Sequence, residues 1–555
     1  MFLAEDSLEP LRPRRRRGLV AIAILLVVAL GVAATTWYGS APLALGVPAL
    51  PLPVPGANAP AAAPGDVQAR IVGSDPADWD PALQGDYGSA TTIAQVFESL
   101  TSIDAAGVVQ PALATSWSVE DGGKRVVFTL RPGIAFSDGS PITAADVVAS
   151  WLRLLDPARP SPLASLLSDV VGARERLAGT GSADQVGLRA DGDKVTVTFR
   201  RPAAYFPSVA ATSSLAVVSP ADAFNGPNLP ANLVVSGAYL PVEQTSAGIR
   251  LEANSHYWAG PPPLSVIEIV TDLGGLSVVE AFDQGLIDYS QLGSFDAGWI
   301  RYDKALGPQL VRQTQLAVDY YGFDTTKPPF ADPRVRQAFA EAVDWHRIVQ
   351  LSTPDATVAT SLLPPGMPGR SQTDFTPVHD PDAARALLTA AGFPGGAGFP
   401  EVALVSQGYP YDEAIVAQLS SVLGVHVRLE TMAPDEYFAR LAAPDRPAFW
   451  DLSWVADYPA PQDFLGLLLE TGSTSNYGGW SDPAYDAALD TAAATSDPAA
   501  QTAAYDAAQA LLQGEVPLVP VAYHDTWALS RTGLTGTGTS GMGILRFAGL
   551  AWVGK

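Results

Sequence analysis

The residue types that usually carry chemistry are sparse or scattered along these 555 residues. Five histidines, His256, His346, His379, His426 and His524, stand singly. None has the spacing that sets two imidazoles on one helix face for zinc, so each reads as a structural or surface residue. There is no cysteine. Disulfides, thiolate metal sites, cysteine nucleophiles, iron–sulfur clusters and a lipid-modified cysteine anchor are therefore excluded. Gly536-Thr-Gly538-Thr-Ser-Gly541 fits the pattern G-x-G-x-x-G, but no clear strand–turn–helix context surrounds it, so a dinucleotide site is not expected. Neither a G-x-S-x-G elbow nor a P-loop occurs. Carboxylates are plentiful, yet nothing singles out two as a glycosidase-like pair. The expectation is a binding protein rather than an enzyme, with no cofactor and no metal.

The surrounding chain must then position a binding site. Net charge is −24, and the first 18 residues are basic, so the remainder is more acidic still. Such a body repels phosphate backbones, and nucleic acid is not an expected partner. Arg14 to Arg17 precede an uncharged apolar run from Leu19 to Ala34, extendable through Trp37 and Tyr38. That pattern predicts a transmembrane anchor over 19–38, with residues 1–18 inside the cell and the body outside. A cleaved signal peptide, cut near Ala33 or Ala34, is the alternative. Prolines 42, 48, 51, 53, 55, 60 and 64 fill an uncharged stretch and predict a semi-rigid stalk over 39–65.

The folded body is expected from Asp66. Val126–Leu130 and Val195–Phe199 read as strands stopped by prolines. Between them, Thr143 and Asp146 form a capping-box pattern ahead of helically spaced Val147, Val148, Trp151, Leu154 and Leu155. Asp332-Pro333 opens another helix. An alanine-rich helical stretch over 484–512 is expected to break near Ser496-Asp-Pro498. The runs 402–405 and 425–429 read as short strands, so the class is mixed α/β.

Several blocks, in order, carry a family resemblance. They are Pro111-Ala-Leu-Ala-Thr-Ser-Trp117, Ile134-Ala-Phe-Ser-Asp-Gly-Ser-Pro-Ile-Thr-Ala-Ala-Asp-Val-Val148, Ser236-Gly-Ala-Tyr239, Asn254-Ser-His-Tyr-Trp258, Pro328-Pro-Phe-Ala-Asp-Pro-Arg-Val-Arg-Gln-Ala-Phe339, Trp454-Val-Ala-Asp-Tyr-Pro459 and Val516-Pro-Leu-Val-Pro520. From about Ile71 onward the chain resembles the family 5 extracellular solute-binding proteins of ABC importers, which include the oligopeptide- and dipeptide-binding proteins. Most motif residues read as structural: Asp138, Gly139 and Asp146 in a turn and a cap, and Trp117, Trp151 and Trp258 in the core.

The resemblance implies a two-lobed periplasmic-binding-protein-like clamp. Lobe I would span 66–320 with 523–555 and carry an extra subdomain at about 98–215. Lobe II would span 321–522. It also implies hinge closure on a ligand, two membrane permeases with cytoplasmic ATPases as partners, and a monomer outside the cell membrane. Site residues carry over one at a time. Asp457 matches the aspartate that pairs with a peptide's α-ammonium, and Trp454 an aromatic lining the cleft. Tyr458 follows the aspartate, and Tyr320 and Tyr87 fall near first-lobe wall contacts. Asp451 stands where some oligopeptide binders have an arginine for a tripeptide's carboxylate. With Asp319 and Asp86 it suggests an acidic cleft suited to longer peptides or cationic ligands. The same fold could instead bind an oligosaccharide or lipid-like solute, or act as a sensor.

Overall fold

The computed structural model describes residues 68–553 except 225 and 354. The expected anchor and stalk lie outside these residues. Among the described residues no helix is long and apolar enough to cross a membrane.

One twisted sheet organises the body. Its strands run, neighbour to neighbour, Val427–Thr431, Val402–Ser406, Phe449–Val455, Leu310–Phe323, Leu518–Ser530, Tyr289–Leu292, Gln68–Val72, Val266–Val270, Gly248–Ala253 and Tyr239–Thr245. The first three form lobe II. Val402–Ser406 pairs in parallel with both of its neighbours and is buried at four of five positions, as a strand covered on both faces must be. Helix Asp412–Leu423 makes the crossover from Val402–Ser406 to Val427–Thr431. It stops at Gly424, whose φ of 70° is the left-handed cap that glycine adopts without penalty. The last five strands form the lobe I sheet, with Gln68–Val72 parallel to Val266–Val270. Separate apolar clusters fill the two lobes.

The extra subdomain has its own antiparallel sheet, in the order Ala114–Glu120, Arg125–Leu130, Lys194–Thr198, Leu188–Asp191. Its core is a set of edge-on rings: Phe128 and Trp151 lie 6.2 Å apart at 87°, Trp151 and Phe206 5.7 Å apart at 76°. The Trp151 indole N–H donates to the Leu215 carbonyl at 2.7 Å, so the buried ring leaves no polar atom unpaired. Trp117 and Trp258, expected in the core, are only partly buried and pack against it from outside. The Arg131 guanidinium covers Trp258 at 4.3 Å.

The local signals translate directly. The capping box forms: Asp146 N–H donates to Thr143 Oγ1 at 3.3 Å, and Thr143 N–H donates to Asp146 Oδ2 at 2.8 Å. Thr143→Ala is expected to cost about 1 kcal/mol, measured as a shift in the chemical-unfolding midpoint. Asp332 caps helix Pro333–Ala342. The alanine-rich stretch is two helices, Pro483–Ala493 and Pro498–Glu515, the second capped by Asp497. The G-x-G-x-x-G segment follows the two-residue strand Leu534–Thr535 and opens no helix.

Candidate functional site

The two longest strands, Leu310–Phe323 and Leu518–Ser530, run through both lobes. At one end Leu518–Ser530 pairs with lobe I strand Tyr289–Leu292. At the other, Leu310–Phe323 pairs with lobe II strand Phe449–Val455. Between these ends their mutual register breaks. Thr314 faces Asp525 and Val318 faces Tyr523, so residues 315–317 bulge opposite His524 alone. Leu316 in this bulge is tied to two other segments by its backbone. Its N–H donates to the Gly541 carbonyl of the C-terminal segment at 2.7 Å, and its carbonyl accepts from Ala456 N–H of lobe II at 2.9 Å. Gly541 has φ 75°, and a Cβ there would sit 2.9 Å from the Leu316 side chain, so glycine is what lets the two backbones meet.

Ala456 leads to Asp457. Strand Phe449–Val455 pairs with Val402–Ser406 only at Phe449 and Trp450, whereas its other edge is paired throughout by Leu310–Phe323. Beyond Trp450 one edge therefore has no strand partner among the described residues. It is an edge onto which an extended chain can add. The chain then turns at Asp457 and Tyr458 into helix Pro461–Leu469.

Asp457 is half-buried and meets no Lys, Arg or His side chain among the described residues. Burial alone pushes its carboxyl up to about 6. Beside it lies Asp463, fully buried in the first turn of that helix. Asp463 Oδ2 accepts from the Trp454 indole N–H at 2.9 Å and from Asp457 N–H at 3.2 Å, while Oδ1 has no hydrogen-bond partner. Burial and the Asp457 charge both hold Asp463 well above the carboxylate range. Of the two, the less buried Asp457 loses its proton first. The arrangement is a negative site lacking a positive group, beside an open strand edge. Asp463 fixes the Trp454 ring and the Asp457 backbone through donors that only a local turn brings together.

The remaining predicted residues are dispersed. Tyr458 is buried and stacks on Tyr205 of the extra subdomain, with ring centres 5.9 Å apart and planes at 9°. Tyr87 is half-exposed in lobe I; its hydroxyl donates to the Gly543 carbonyl and accepts from Gln291 Nε2 at 2.6 Å. Tyr320 lies in the lobe II core, opposite Leu452 and Pro520, with no open face toward lobe I. The central strand reaches lobe II before residue 320, which buries this ring.

The acidic cleft expected from Asp451, Asp319 and Asp86 is not what the structure builds. Asp451 is fully buried, accepts from Ser406 Oγ at 2.6 Å and Tyr437 Oη at 3.1 Å, and is pushed up to about 6 by burial. Asp319 meets His524 Nε2 at 2.5 Å across the bulge, and Asp86 caps helix Tyr87–Val96 through Ser89. In each case an internal partner takes up the carboxylate. Among the described residues no group of three or more His, Asp or Glu could hold a metal ion.

Comparisons with known proteins agree with this architecture. The family profile "Bacterial extracellular solute-binding proteins, family 5 Middle" matches residues 108–476. The chain is 31% identical over 477 residues to the probable deoxycholate-binding periplasmic protein YgiS of Escherichia coli strain K12, covering 81% of this chain and 86% of that protein. It is 28% identical over 506 residues to the periplasmic murein peptide-binding protein MppA of the same strain, covering 84% and 89%. The unliganded open form of the MppA murein tripeptide-binding protein superposes with a TM-score of 0.75 at 25% identity, over 88% of this chain and 98% of that one. The two-lobed periplasmic-binding-protein fold, the ordered sequence blocks and the profile match converge: the chain belongs to the family 5 extracellular solute-binding proteins of ABC importers, and it is a binding protein, not an enzyme.

Proposed function

We propose that this protein captures peptides between its lobes and delivers them to two permease subunits driven by cytoplasmic ATPases. In this reading it works as a monomer, tethered outside the cell by residues 19–38. The observation that carries the reading is Asp457, a half-buried carboxylate without a cation beside a strand edge without a partner. A peptide offers both complements, an α-ammonium for the carboxylate and an extended backbone for the edge. A buried ion pair forms at the cost of stripping water from both charges, and the carboxylate here is already largely stripped. In this reading the hinge is the bulge at Leu316, and Ala456, bonded to Leu316, immediately precedes Asp457. A ligand seated on Asp457 thus bears on the joint between the lobes, and any preference of ligand for the closed form shifts the population toward it. Relatives named for murein peptides and oligopeptides support the class.

The test is mass spectrometry of small molecules released on denaturing the full-length protein purified in detergent. Peptides of several residues are the expected cargo. A steroid-like amphiphile, a sugar or a metal complex in their place would keep the clamp and overturn the pairing at Asp457.

A further inference from the structure

Asp457 begins a turn that lobe II does not hold alone. From the lobe II side, Asp463 accepts from the N–H groups of both Asp457 and Tyr458. From the other side the extra subdomain takes the turn into its core: Tyr458 and Ala460 belong to the same apolar cluster as Phe128, Trp151 and Phe206. One short segment of the subdomain, residues 201–205, makes the polar and stacking contacts. Tyr205 lies parallel to Tyr458, with ring centres 5.9 Å apart and planes at 9°. Ala204 N–H donates at 2.8 Å to the carbonyl of Ala493, where helix Pro483–Ala493 ends. Arg201, held on the subdomain side by Asp169 at 2.8 Å, pairs with Glu470 just past helix Pro461–Leu469. The approach is close enough to need a glycine. Gly123 of the subdomain has φ 84°, and a Cβ there would come within 2.4 Å of the Ala493 oxygen.

We infer that Tyr205 is a positioning residue for ligand recognition: by stacking on Tyr458 it fixes the turn from which Asp457 meets the ammonium. The inference rests on the peptide reading above and adds to it a residue outside lobe II. A stacked pair sets the plane of each ring, and the Tyr458 ring is attached to the residue directly after Asp457. The Arg201–Glu470 pair and the Ala204–Ala493 bond keep residues 201–205 seated, so the stack does not slide. The ionisable groups here are Asp463 beside Asp457, Asp463, Tyr205 and Tyr505 around the Tyr458 hydroxyl, and Asp169 and Arg201 beside Tyr205. Burial pushes both stacked hydroxyls above the ordinary phenol range, so replacing Tyr205 removes no charge below about pH 10. The extra subdomain thus takes part in recognition as well as in the fold.

The experiment is isothermal titration of the full-length protein with Ala-Ala-Ala-Ala-Ala at about pH 7.5 and pH 5, where the Asp457 carboxyl is respectively ionised and mostly protonated. Tyr205→Ala is expected to bind about 3- to 10-fold more weakly at the higher pH, the range that one stacked pair supplies. The gap should narrow at the lower pH. Water admitted beside the turn brings the Asp457 carboxyl down from about 6 toward the ordinary range, so the variant keeps more of its charge there. Tyr205→Phe should match the parent, since it keeps the ring and loses only a hydroxyl 3.4 Å from Asp169. Glu470→Gln leaves Arg201 paired with Asp169 and should move affinity the same way by less, which keeps the test open if the alanine variant fails to fold. Parent-like affinity at both pH values in Tyr205→Ala and Glu470→Gln overturns the inference alone. So does a loss of equal size at the two pH values, which general destabilisation would give, or a loss that Tyr205→Phe shares. Absence of binding by the parent protein at either pH overturns the peptide reading along with it.

Discussion

Peptide affinity is expected to rise about tenfold per pH unit up to pH ~6 and then level off, and Asp457→Asn is expected to remove both the rise and most of the affinity. The direction follows from the free site. Burial holds the Asp457 carboxyl up at about 6, so below that pH the site carries a proton and has no charge to offer an ammonium. Each unit below the pKa lowers the ionised fraction tenfold, and binding falls with it. At the upper end the free α-ammonium deprotonates near pH ~8, so the plateau lies between the two. Replacing the carboxylate by an amide leaves the ammonium desolvated without its counter-charge. Truncating one partner of such a pair costs about 2–5 kcal/mol, roughly 30- to several-thousand-fold. Titrations at pH 4.5, 5.5, 6.5 and 7.5 check this. Affinity that is flat or falling over that range in the parent protein, or a variant that keeps its pH slope, would sink the assignment.

Stability of the free protein should move the opposite way. Asp457, Asp463 and Asp451 all have raised folded-state pKa values from burial. The stability they contribute is fully present below the ordinary carboxylate range and is lost as pH rises through their folded values. His524 is also raised, since Asp319 and Asp525 outweigh its burial, and its contribution is likewise lost as pH rises through the folded value. Ligand reverses the part due to Asp457 by supplying the missing cation. The melting temperature of the free protein should therefore drop from pH 5 toward pH 8, while the increment added by ligand grows only up to about pH 6 and then levels off.

These groups also show what a sequence discloses and what it withholds. Thr143 with Asp146, Asp332 with Pro333, and Asp497 with Pro498 are legible because their partners are at most three residues away. A cap is a local event, and the helix follows it whatever the tertiary context. Asp457 was legible only through the ordered blocks that resemble a family. By itself it is one aspartate among many. Asp463 lay six residues further on and carried no signal, because its role depends on a turn that brings its oxygen to the Trp454 indole and the Asp457 amide. Asp319 and His524 are 205 positions apart and meet only because the long strands bulge where they cross between lobes. Arg201 with Glu470 and Tyr205 with Tyr458 are contacts of the same kind. Tyr320 and Asp451 lie outside the ordered blocks and were placed by their spacing from them, and spacing does not say which carboxylate or ring already has a partner inside the protein.

Arg336 is the block residue whose loss should cost the most stability. It lies in the Asp332-Pro-Arg-Val-Arg336 run and is 1% exposed. Burial lowers its pKa, but four bonds hold the charged form. Nε donates to the Glu515 carbonyl at 2.7 Å and to the Val516 carbonyl at 3.2 Å, Nη1 to the Phe330 carbonyl at 2.7 Å, and Nη2 to Glu515 Oε2 at 3.1 Å. Val516 is the end cap of helix Pro498–Glu515 and has φ 43°, a left-handed conformation that a β-branched residue adopts only when its surroundings compel it. The guanidinium fork therefore pins the turn from the last helix into strand Leu518–Ser530, one of the two strands that join the lobes. Arg336→Met keeps the volume and removes every donor. Three carbonyl oxygens lose this donor at once, and the strained cap loses its clamp. The expected cost is about 3–5 kcal/mol, read as a shift of the lobe II transition in guanidinium unfolding. Arg336→Lys should recover only part of it, since one ammonium cannot span three carbonyls in the geometry of a planar fork. A loss below about 1 kcal/mol in the methionine variant would mean that packing around Phe330 and Val516 holds the turn without the charge, and that the arginine of this block serves something other than stability.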